Sequence, residues 1–370
     1  MKSRSRLPSR LLLLLVLAWR YLVNIGSPRS APQHPRRILI AHHLLLGDTL
    51  MLTTLLAKLR EQYPQAQIVM TVPKAIVLLY QKRPYGVTAV PYEPRDIRAL
   101  IALIKISGFD LAIIPGDNRF SWLARALGAR WIVAFAGDHP AYKSWPVDEL
   151  ISFPDKPTSW GDIMAGLISG NTPAPYQTKL WEEPDWEPFR LPQQPYVVLH
   201  VGASSVLKLW GNEKWAALAT HLTGAGFQVV WSAGYGEEKI IAGIDPQSQY
   251  LSYAGKLTLA QLWHLLKHAR LLVSPDTGVA HLGRAVGTPM VTLFGPGSVT
   301  IFGAGDFWKN SVYRPVTIND FPCRDQRVLL KREVEWVRRC SRSTRECSAP
   351  LCMREISVIM VQEAIANLLV

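Results

Sequence analysis

The chain has 370 residues, of which 48% are apolar and 19% are charged. This length can hold two α/β domains of ordinary size, and the composition excludes an intrinsically disordered chain. The net charge of +13 predicts an anionic partner: a nucleic acid, a phosphorylated small molecule or an anionic membrane surface. Nucleic acid is not favoured, because the sequence has no zinc finger and no aromatic motif of the RRM type.

Residues 1–36 form a basic and apolar extension. Arg4, Arg6 and Arg10 precede the apolar run Leu11–Ala18. The eight residues of this run are too few to span a bilayer, which takes about 20 in a helix. We predict a helix that lies in a membrane interface. Two alternatives stay open: a non-functional extension, and a signal peptide or signal anchor without a clear cleavage site.

Residues 37–172 predict a domain with a parallel sheet, because short apolar strands alternate with helices. The first unit is a strand at Arg37–His42, a loop that ends at Gly47-Asp48, and a helix at Thr49–Gln62. Asp48 lies where the strand gives way to the helix. It is therefore interpreted as the N-cap of that helix or as a general base at the floor of a cleft, two roles that can coexist.

A proline-rich linker at residues 173–195 leads to a second domain at residues 196–350. The first strand of this domain is followed by a loop with Ser204, Ser205 and Lys208. Hydroxyl and backbone N–H groups of such a loop can cradle a phosphate, while the ammonium group supplies positive charge. The alternative is a solvated lysine in an ordinary loop.

The second strand of this domain is followed by the sequence GYGEE at residues 234–238. These residues lie at the carboxyl edge, where parallel sheets bind ligands. A carboxylate there can accept hydrogen bonds from ribose hydroxyls, and we favour Glu238 over Glu237.

The stretch Leu271–Ser298 indicates a strand, a tight turn, a helix, a second strand and a glycine-rich loop. Its helix begins at Asp276-Thr277-Gly278. Free N–H groups and the helix dipole favour an anion at this position, and the glycine allows a phosphate to approach the backbone closely. The alternative is an aspartate that only caps an ordinary helix.

The chain after this stretch carries a basic run and all the cysteines. Residues 323–345 hold eight Lys or Arg and three Asp or Glu, which predicts a solvated face or, alternatively, a surface for phosphates. The cysteines lack the paired C-x2-C knuckles of a zinc site, so a structural metal, disulfides and reduced thiols stay open. They are Cys323, Cys340, Cys347 and Cys352.

The sequence DTGVAHLGRAVGTPMVTLFGP at residues 276–296 resembles the C-terminal signature of glycosyltransferase family 9, the ADP-heptose:lipopolysaccharide heptosyltransferases. The pattern consists of Asp276-Thr277-Gly278, His281, a Gly-Thr-Pro turn and a strand that ends in Leu-Phe-Gly-Pro. The resemblance implies a GT-B fold, in which two Rossmann-like domains face each other across a cleft. Chains of this fold often end in a helix that crosses back to the first domain, which we expect for residues 351–370.

The resemblance also implies roles for single residues. Asp48 resembles the aspartate of a Gly-Asp pair that is taken as the base for the acceptor hydroxyl. Lys208 resembles a lysine before tryptophan that binds the donor diphosphate, although Trp210-Gly211 stands where members commonly have Trp-Pro. The segment at Gly255 resembles one near the nucleotide base. The donor-binding residues implied in this way are Ser204, Ser205, Lys208, Glu238, Asp276, Thr277, Gly278 and His281.

The resemblance therefore implies an inverting transferase that moves heptose from ADP-heptose onto a lipopolysaccharide core or a related glycan at the inner face of the cytoplasmic membrane. No DxD pair stands in a convincing position, so we expect no essential metal and no cofactor. A relative that uses another nucleotide sugar stays open, as does a non-catalytic sugar-nucleotide-binding protein, which would not need Asp48. An NAD-dependent enzyme is excluded, because the first loop, HLLLGD, lacks G-x-G-x-x-G.

Overall fold

The computed structural model describes residues 5–23 and 28–369, so residues 1–4, which include Arg4, residues 24–27 and Val370 lie outside the described part of the chain. In the predicted N-terminal extension, the described residues include helix α1 (Leu7–Val23). In the described ranges, no helix combines the length and the apolar character needed to cross a membrane.

The first sheet has six strands. They are β1 (Arg37–Ile40), β2 (Gln67–Val72), β3 (Val87–Pro91), β4 (Phe109–Ile114), β5 (Ala129–Phe135) and β6 (Glu149–Ile151). The helices of this domain are α2 (Leu46–Met51), α3 (Thr53–Gln62), α4 (Ile97–Lys105), α5 (Phe120–Ala126) and α6 (Trp160–Ala165). The strands pair in parallel in the order β3-β2-β1-β4-β5-β6. Apolar residues fill both faces of β1, as expected for a parallel strand covered by helices.

The second sheet repeats this architecture. Its strands are β7 (Tyr196–His200), β8 (Gln228–Ser232), β9 (Leu251–Ser252), β10 (Leu271–Pro275), β11 (Met290–Phe294) and β12 (Tyr313–Thr317). Its helices are α7 (Asn212–Gly224), α8 (Glu238–Ile244), α9 (Leu259–Lys267), α10 (Gly278–Val286) and α11 (Val299–Phe302). The strands pair in parallel in the order β12-β11-β10-β7-β8-β9.

In each sheet the strand order reverses beside the first strand of the domain, between β1 and β4 and between β7 and β10. Open α/β sheets bind ligands at the carboxyl ends of the strands at such a reversal. Asp48 follows β1, Lys208 follows β7 and Asp276 follows β10. The fold thus places three predicted site residues at the two reversal points.

The proline-rich linker is packed between the domains. The Tyr176 hydroxyl donates to the Ala285 carbonyl at 2.6 Å, and the Trp181 indole N–H donates to the Leu79 carbonyl at 3.0 Å. The Trp181 ring lies 5.0 Å from that of Tyr80, in the first domain, and 5.5 Å from that of Trp263, in the second. These contacts join both domains to one connector.

The predicted helix at Thr49–Gln62 begins earlier than expected and consists of α2 and α3. Leu45 is the N-cap of α2 and makes no side-chain cap, whereas Asp48 lies within the first turn. The negative charge of Asp48 in the first turn interacts favourably with the helix dipole. This interaction stabilises the start of α2 without a capping side chain. The interpretation of Asp48 as the N-cap is therefore wrong.

The last elements are the hairpin strands β13 (Val328–Leu329) and β14 (Arg332–Glu333), and the helices α12 (Leu351–Arg354) and α13 (Val358–Leu369). Helix α13 packs on β11, β12 and α7, and it buries Val361 and Ile365 in the second core. The apolar face of α13 is thus covered by its own domain, and the helix does not cross back as expected.

The hairpin makes the crossing instead. The buried Arg332 guanidinium reaches the carboxyl edge of the first sheet, where Nε donates to the Ala136 carbonyl at 2.7 Å and Nη2 donates to Asn118 Oδ1 at 2.8 Å. Nearby, the Trp336 indole N–H donates to the Pro154 carbonyl at 2.8 Å. The basic run at residues 323–345 is therefore not simply the predicted solvated face. Through Arg332 and Trp336 it acts in part as an arm that holds the two domains together.

Candidate active site

The first turns of α2 and α10 meet in the cleft. A Cβ added to Gly278 would lie 2.9 Å from Leu46 Cβ and 3.1 Å from Gly47 N, and a Cβ added to Gly47 would lie 2.8 Å from His281 Cδ2. Both glycines are therefore required for the close approach of helices from different domains. The first domain thus fills the space where a Cβ of residue 278 would lie, and the role of Gly278 in the approach of a phosphate stays a prediction.

Asp276 does not act as a plain helix cap. The N-cap of α10 is Thr277, which makes no side-chain cap, and its hydroxyl is buried without a hydrogen-bond partner. The buried carboxylate of Asp276 instead accepts a hydrogen bond from Lys208 Nζ at 3.0 Å. Lys208 Nζ also donates to the Asp276 carbonyl at 2.7 Å. This arrangement contradicts both alternatives from the sequence, a capping aspartate and a solvated lysine.

The Asp48 carboxyl, in the first domain, lies near three charged groups of the second domain. Burial raises its pKa to about 6, the negative charge of Asp276 adds to the rise, and Lys208 and Arg339 oppose it. A carboxylate with this pKa is largely ionised at neutral pH and is basic enough to accept a proton from a reacting group. The chemistry available at this position is therefore general base catalysis.

His281 lies buried on α10 against Gly47. Burial lowers its pKa well below the usual range, and the cations Arg284 and Lys208 act in the same direction. The imidazole ring is therefore neutral at physiological pH. It can donate one hydrogen bond to a ligand but cannot supply positive charge.

The two serines of the β7 loop differ from Lys208. Ser205 Oγ accepts a hydrogen bond from the Leu207 N–H at 3.3 Å, and this bond caps the short turn Val206–Lys208. Ser204 is exposed on the same loop. The serines thus shape or border the loop, whereas the Lys208 side chain is the one that reaches Asp276.

The neighbouring glutamates Glu237 and Glu238 have different surroundings. The Glu237 carboxylate accepts hydrogen bonds from the N–H groups of Gly234 at 2.6 Å and Ala203 at 3.0 Å, so it braces the loop after β7. Glu238 is exposed, accepts from the Gly236 N–H at 3.1 Å and adjoins Gly255. The role of Glu238 on a ribose stays a prediction.

Arg339 is a site residue that the sequence did not single out. Its guanidinium lies 5.7 Å from the centre of the Phe302 ring, and its Nε is buried without a hydrogen-bond partner. The next residue, Cys340, donates its backbone N–H to the Pro296 carbonyl at 3.0 Å. That loop adjoins the site, because a Cβ on Gly297 would lie 2.4 Å from Asp276 Oδ2. Nothing in a basic run indicates which arginine turns inward.

The four cysteines are free thiols, of which Cys340 and Cys352 are buried. Burial raises the pKa of Cys352 to about 11, so this group stays protonated at neutral pH. Within residues 5–23 and 28–369, no three His, Cys, Asp or Glu side chains are arranged to hold a metal ion. The structure thus describes the four residues as thiols that form no disulfide.

Known proteins resemble the chain over most of its length. Lipopolysaccharide heptosyltransferase 3 of Escherichia coli is 25% identical over 312 residues, which cover 76% of this chain and 89% of the relative. The structure of E. coli heptosyltransferase WaaC with ADP matches with a TM-score of 0.67 at 17% identity, covering 90% of this chain and 99% of the other. E. coli ADP-heptose lps heptosyltransferase II matches with a TM-score of 0.65 at 18% identity, covering 90% and 98%.

At these identities the solved structures show the fold alone, and the predicted GT-B fold is confirmed. The family model for glycosyltransferase family 9 (heptosyltransferase) matches residues 97–330, which is more than half of the chain. The chain therefore belongs to glycosyltransferase family 9 and is a glycosyltransferase.

Proposed function

We propose that this enzyme transfers heptose from ADP-heptose to a hydroxyl group of a lipopolysaccharide core or a related cell-surface glycan. The observation that carries the proposal is the meeting of Asp48, from the first domain, with Lys208, Asp276 and the start of α10, from the second. The names of similar proteins support it: one is a lipopolysaccharide heptosyltransferase, and WaaC has been solved with ADP and with ADP-2-deoxy-2-fluoro heptose.

In this proposal the donor diphosphate lies at the carboxyl edge of the second sheet, beside the start of α10. Lys208 and Arg339 provide positive charge, and the buried Thr277 hydroxyl provides a further hydrogen-bond donor. Fixed donors of this kind stabilise the charge that develops on a leaving diphosphate. Two cations can balance that charge, so the proposed reaction is metal-independent.

Asp48 acts as the base in the proposed reaction. It removes the proton of the acceptor hydroxyl while that oxygen forms a bond to the anomeric carbon of heptose. The bond from this carbon to the diphosphate breaks, and its electron pair leaves on ADP. Because the base and the leaving group are held by opposite domains, we infer attack from the side opposite the diphosphate, which inverts the anomeric configuration.

A donor panel tests the donor assignment. We expect ADP-heptose to raise the melting temperature of the enzyme more than UDP-, GDP- or CMP-sugars do. Lys208→Ala should weaken this binding by about tenfold to a hundredfold, because a hydrogen bond to a charged group is lost. The matched control is Lys239→Ala, which removes an exposed lysine of α8.

Two outcomes would contradict the proposal. Selective stabilisation by another nucleotide sugar would keep the fold and reassign the donor. An unchanged ADP-heptose affinity in Lys208→Ala would remove this lysine from the diphosphate site.

The acceptor class sets where the enzyme works. A lipopolysaccharide core is attached to lipid, so we place the reaction at the cytoplasmic face of the inner membrane, with the enzyme bound peripherally. The net charge of +13 favours an anionic bilayer surface.

A further inference from the structure

Helix α1 is docked on the first domain by one of its faces. Leu12 and Leu13 pack against the apolar core formed with α4 and α5, and Ser9 is buried. Near the end of the helix, Arg20 Nη2 donates to Ser107 Oγ at 2.8 Å. The helix is therefore an integral part of the domain surface.

The opposite face of α1 is apolar and uncovered. Six of its side chains each keep between 53% and 69% of their surface exposed: Leu7, Leu11, Leu14, Leu15, Trp19 and Leu22. A helix that borders water on its outer side normally carries polar residues there. An apolar surface of this kind on a folded protein marks an interaction site.

Exposed apolar side chains continue on the elements beside α1. Ile97 and Ile101 are exposed on α4, which α1 contacts. Next to α5, the exposed Trp145 ring lies 6.5 Å from that of Trp122. The elements that contact α1 thus carry, or adjoin, further exposed apolar side chains.

The two ends of α1 lie at opposite edges of the first sheet. Burial raises the pKa of Tyr92 to about 12, and the nearby Arg6 guanidinium opposes this rise. Tyr92 directly follows β3, so the basic start of α1 lies at the carboxyl edge, which faces the cleft. Arg20 adjoins Ser107 and Gly128, which precede β4 and β5 at the far edge.

We infer that the outer face of α1, defined by the six side chains above, docks on an anionic phospholipid bilayer, with the helix lying in the plane of the interface. The apolar side chains enter the boundary between headgroups and acyl chains, while the exposed Arg6 and Arg10 contact anionic headgroups. This pairing of an apolar face with basic flanks selects a membrane as the partner.

Docking through α1 also orients the enzyme. Since the start of α1 lies at the carboxyl edge of the first sheet, the cleft that contains Asp48 opens beside the bilayer. A lipid-linked acceptor could then enter the cleft without leaving the membrane. This consequence for the acceptor rests on the proposed function, whereas the docking itself does not.

The test is co-sedimentation of the full chain with phosphatidylcholine vesicles, with and without phosphatidylglycerol. We expect binding to the vesicles that contain phosphatidylglycerol, weakened by salt. The double variant Leu11→Glu/Leu15→Glu should reduce this binding by about tenfold or more, because two charged groups would have to enter the interface. Its matched control is Ile359→Glu, which alters an exposed apolar residue of α13 and should bind like the unaltered enzyme.

Light scattering and donor binding separate the remaining outcomes. Equal vesicle binding by the double variant, or no binding by the unaltered enzyme, would overturn the inference. If the unaltered enzyme instead forms a dimer that the double variant cannot form, a second copy covers α1. Stabilisation by ADP-heptose should be the same in both proteins, so a failure of the proposed donor would be seen independently of membrane docking.

Discussion

The carboxyl edges of the two sheets supply different shares of the site. The second edge provides Lys208 after β7 and both Asp276 and the first turn of α10 after β10. The first edge provides Asp48, and part of that edge is covered by Arg332 from the second domain. The proposed donor half is thus built from local turns, whereas the proposed acceptor half depends on one carboxylate and on an arm from the other domain.

Removal of the Asp48 carboxylate should have the largest effect on turnover. Asp48→Ala should lower turnover by about 10²–10⁴-fold, because the acceptor hydroxyl loses its base. ADP affinity should stay near that of the unaltered enzyme, since the cations of the second edge are intact. The measurement is the rate of ADP release with a lipopolysaccharide core acceptor, together with ADP binding.

Asp155→Ala, which removes an exposed carboxylate of the same domain, is the matched control for Asp48→Ala and should keep full turnover. Near-normal turnover in Asp48→Ala would show that the first edge does not supply the base.

The contact between the two edges gives the second prediction. In Gly278→Ala the new Cβ would meet Leu46 and the Gly47 backbone, so α10 must move away from α2. We expect turnover to fall by about 10²-fold, since small displacements of reacting groups are costly. The free energy of unfolding should fall by about 1–3 kcal/mol through overpacking.

Gly224→Ala is the control for this substitution, because a Cβ at that position meets nothing within 4 Å. Full activity of Gly278→Ala would mean that the close approach of the helices is not needed for catalysis.

The same difference between the edges explains what the sequence could predict. The alternation of strands and helices predicts both sheets, and short motifs predict Lys208 and Asp276, because each motif lies within a single strand, turn and helix. The predicted helix start at Thr49 is wrong, because no capping side chain between Leu44 and Asp48 marks the observed start of α2 at Leu46. Contacts between domains, such as that of Gly278 with Gly47, leave no local pattern in the sequence.

Arg339 shows this limit most clearly. It lies in a run of basic residues, and its neighbour Arg338 is exposed while Arg339 turns towards Asp276 and Asp48. The direction of each side chain is set by the arm. Arg332 binds the arm to Asn118 of the first domain, and the Cys340 N–H binds it to the Pro296 carbonyl of the second. A charge pattern alone cannot distinguish the two arginines.

The pH dependence of activity can test whether Arg339 belongs to the site. Asp48 must be ionised to act as a base, so kcat/KM should fall as the pH decreases through about 6, the raised pKa of this group. Arg339 opposes the rise in that pKa, so Arg339→Ala should raise it further and move the fall in activity to higher pH. At neutral pH we expect kcat/KM of Arg339→Ala to be lower by roughly tenfold, because one charged contact is missing.

Arg338→Ala is the matched control for Arg339→Ala, because Arg338 is exposed and its Nη1 donates only to the carbonyls of Glu335 and Val337 among the bonds that the structure describes. This variant should keep the profile of the unaltered enzyme. Asp276→Asn should move the fall to lower pH, since the Asp276 carboxylate raises the pKa of Asp48. If Arg339→Ala and Arg338→Ala give the same profile, Arg339 acts on the stability of the arm and has no part in the charge balance of the cleft.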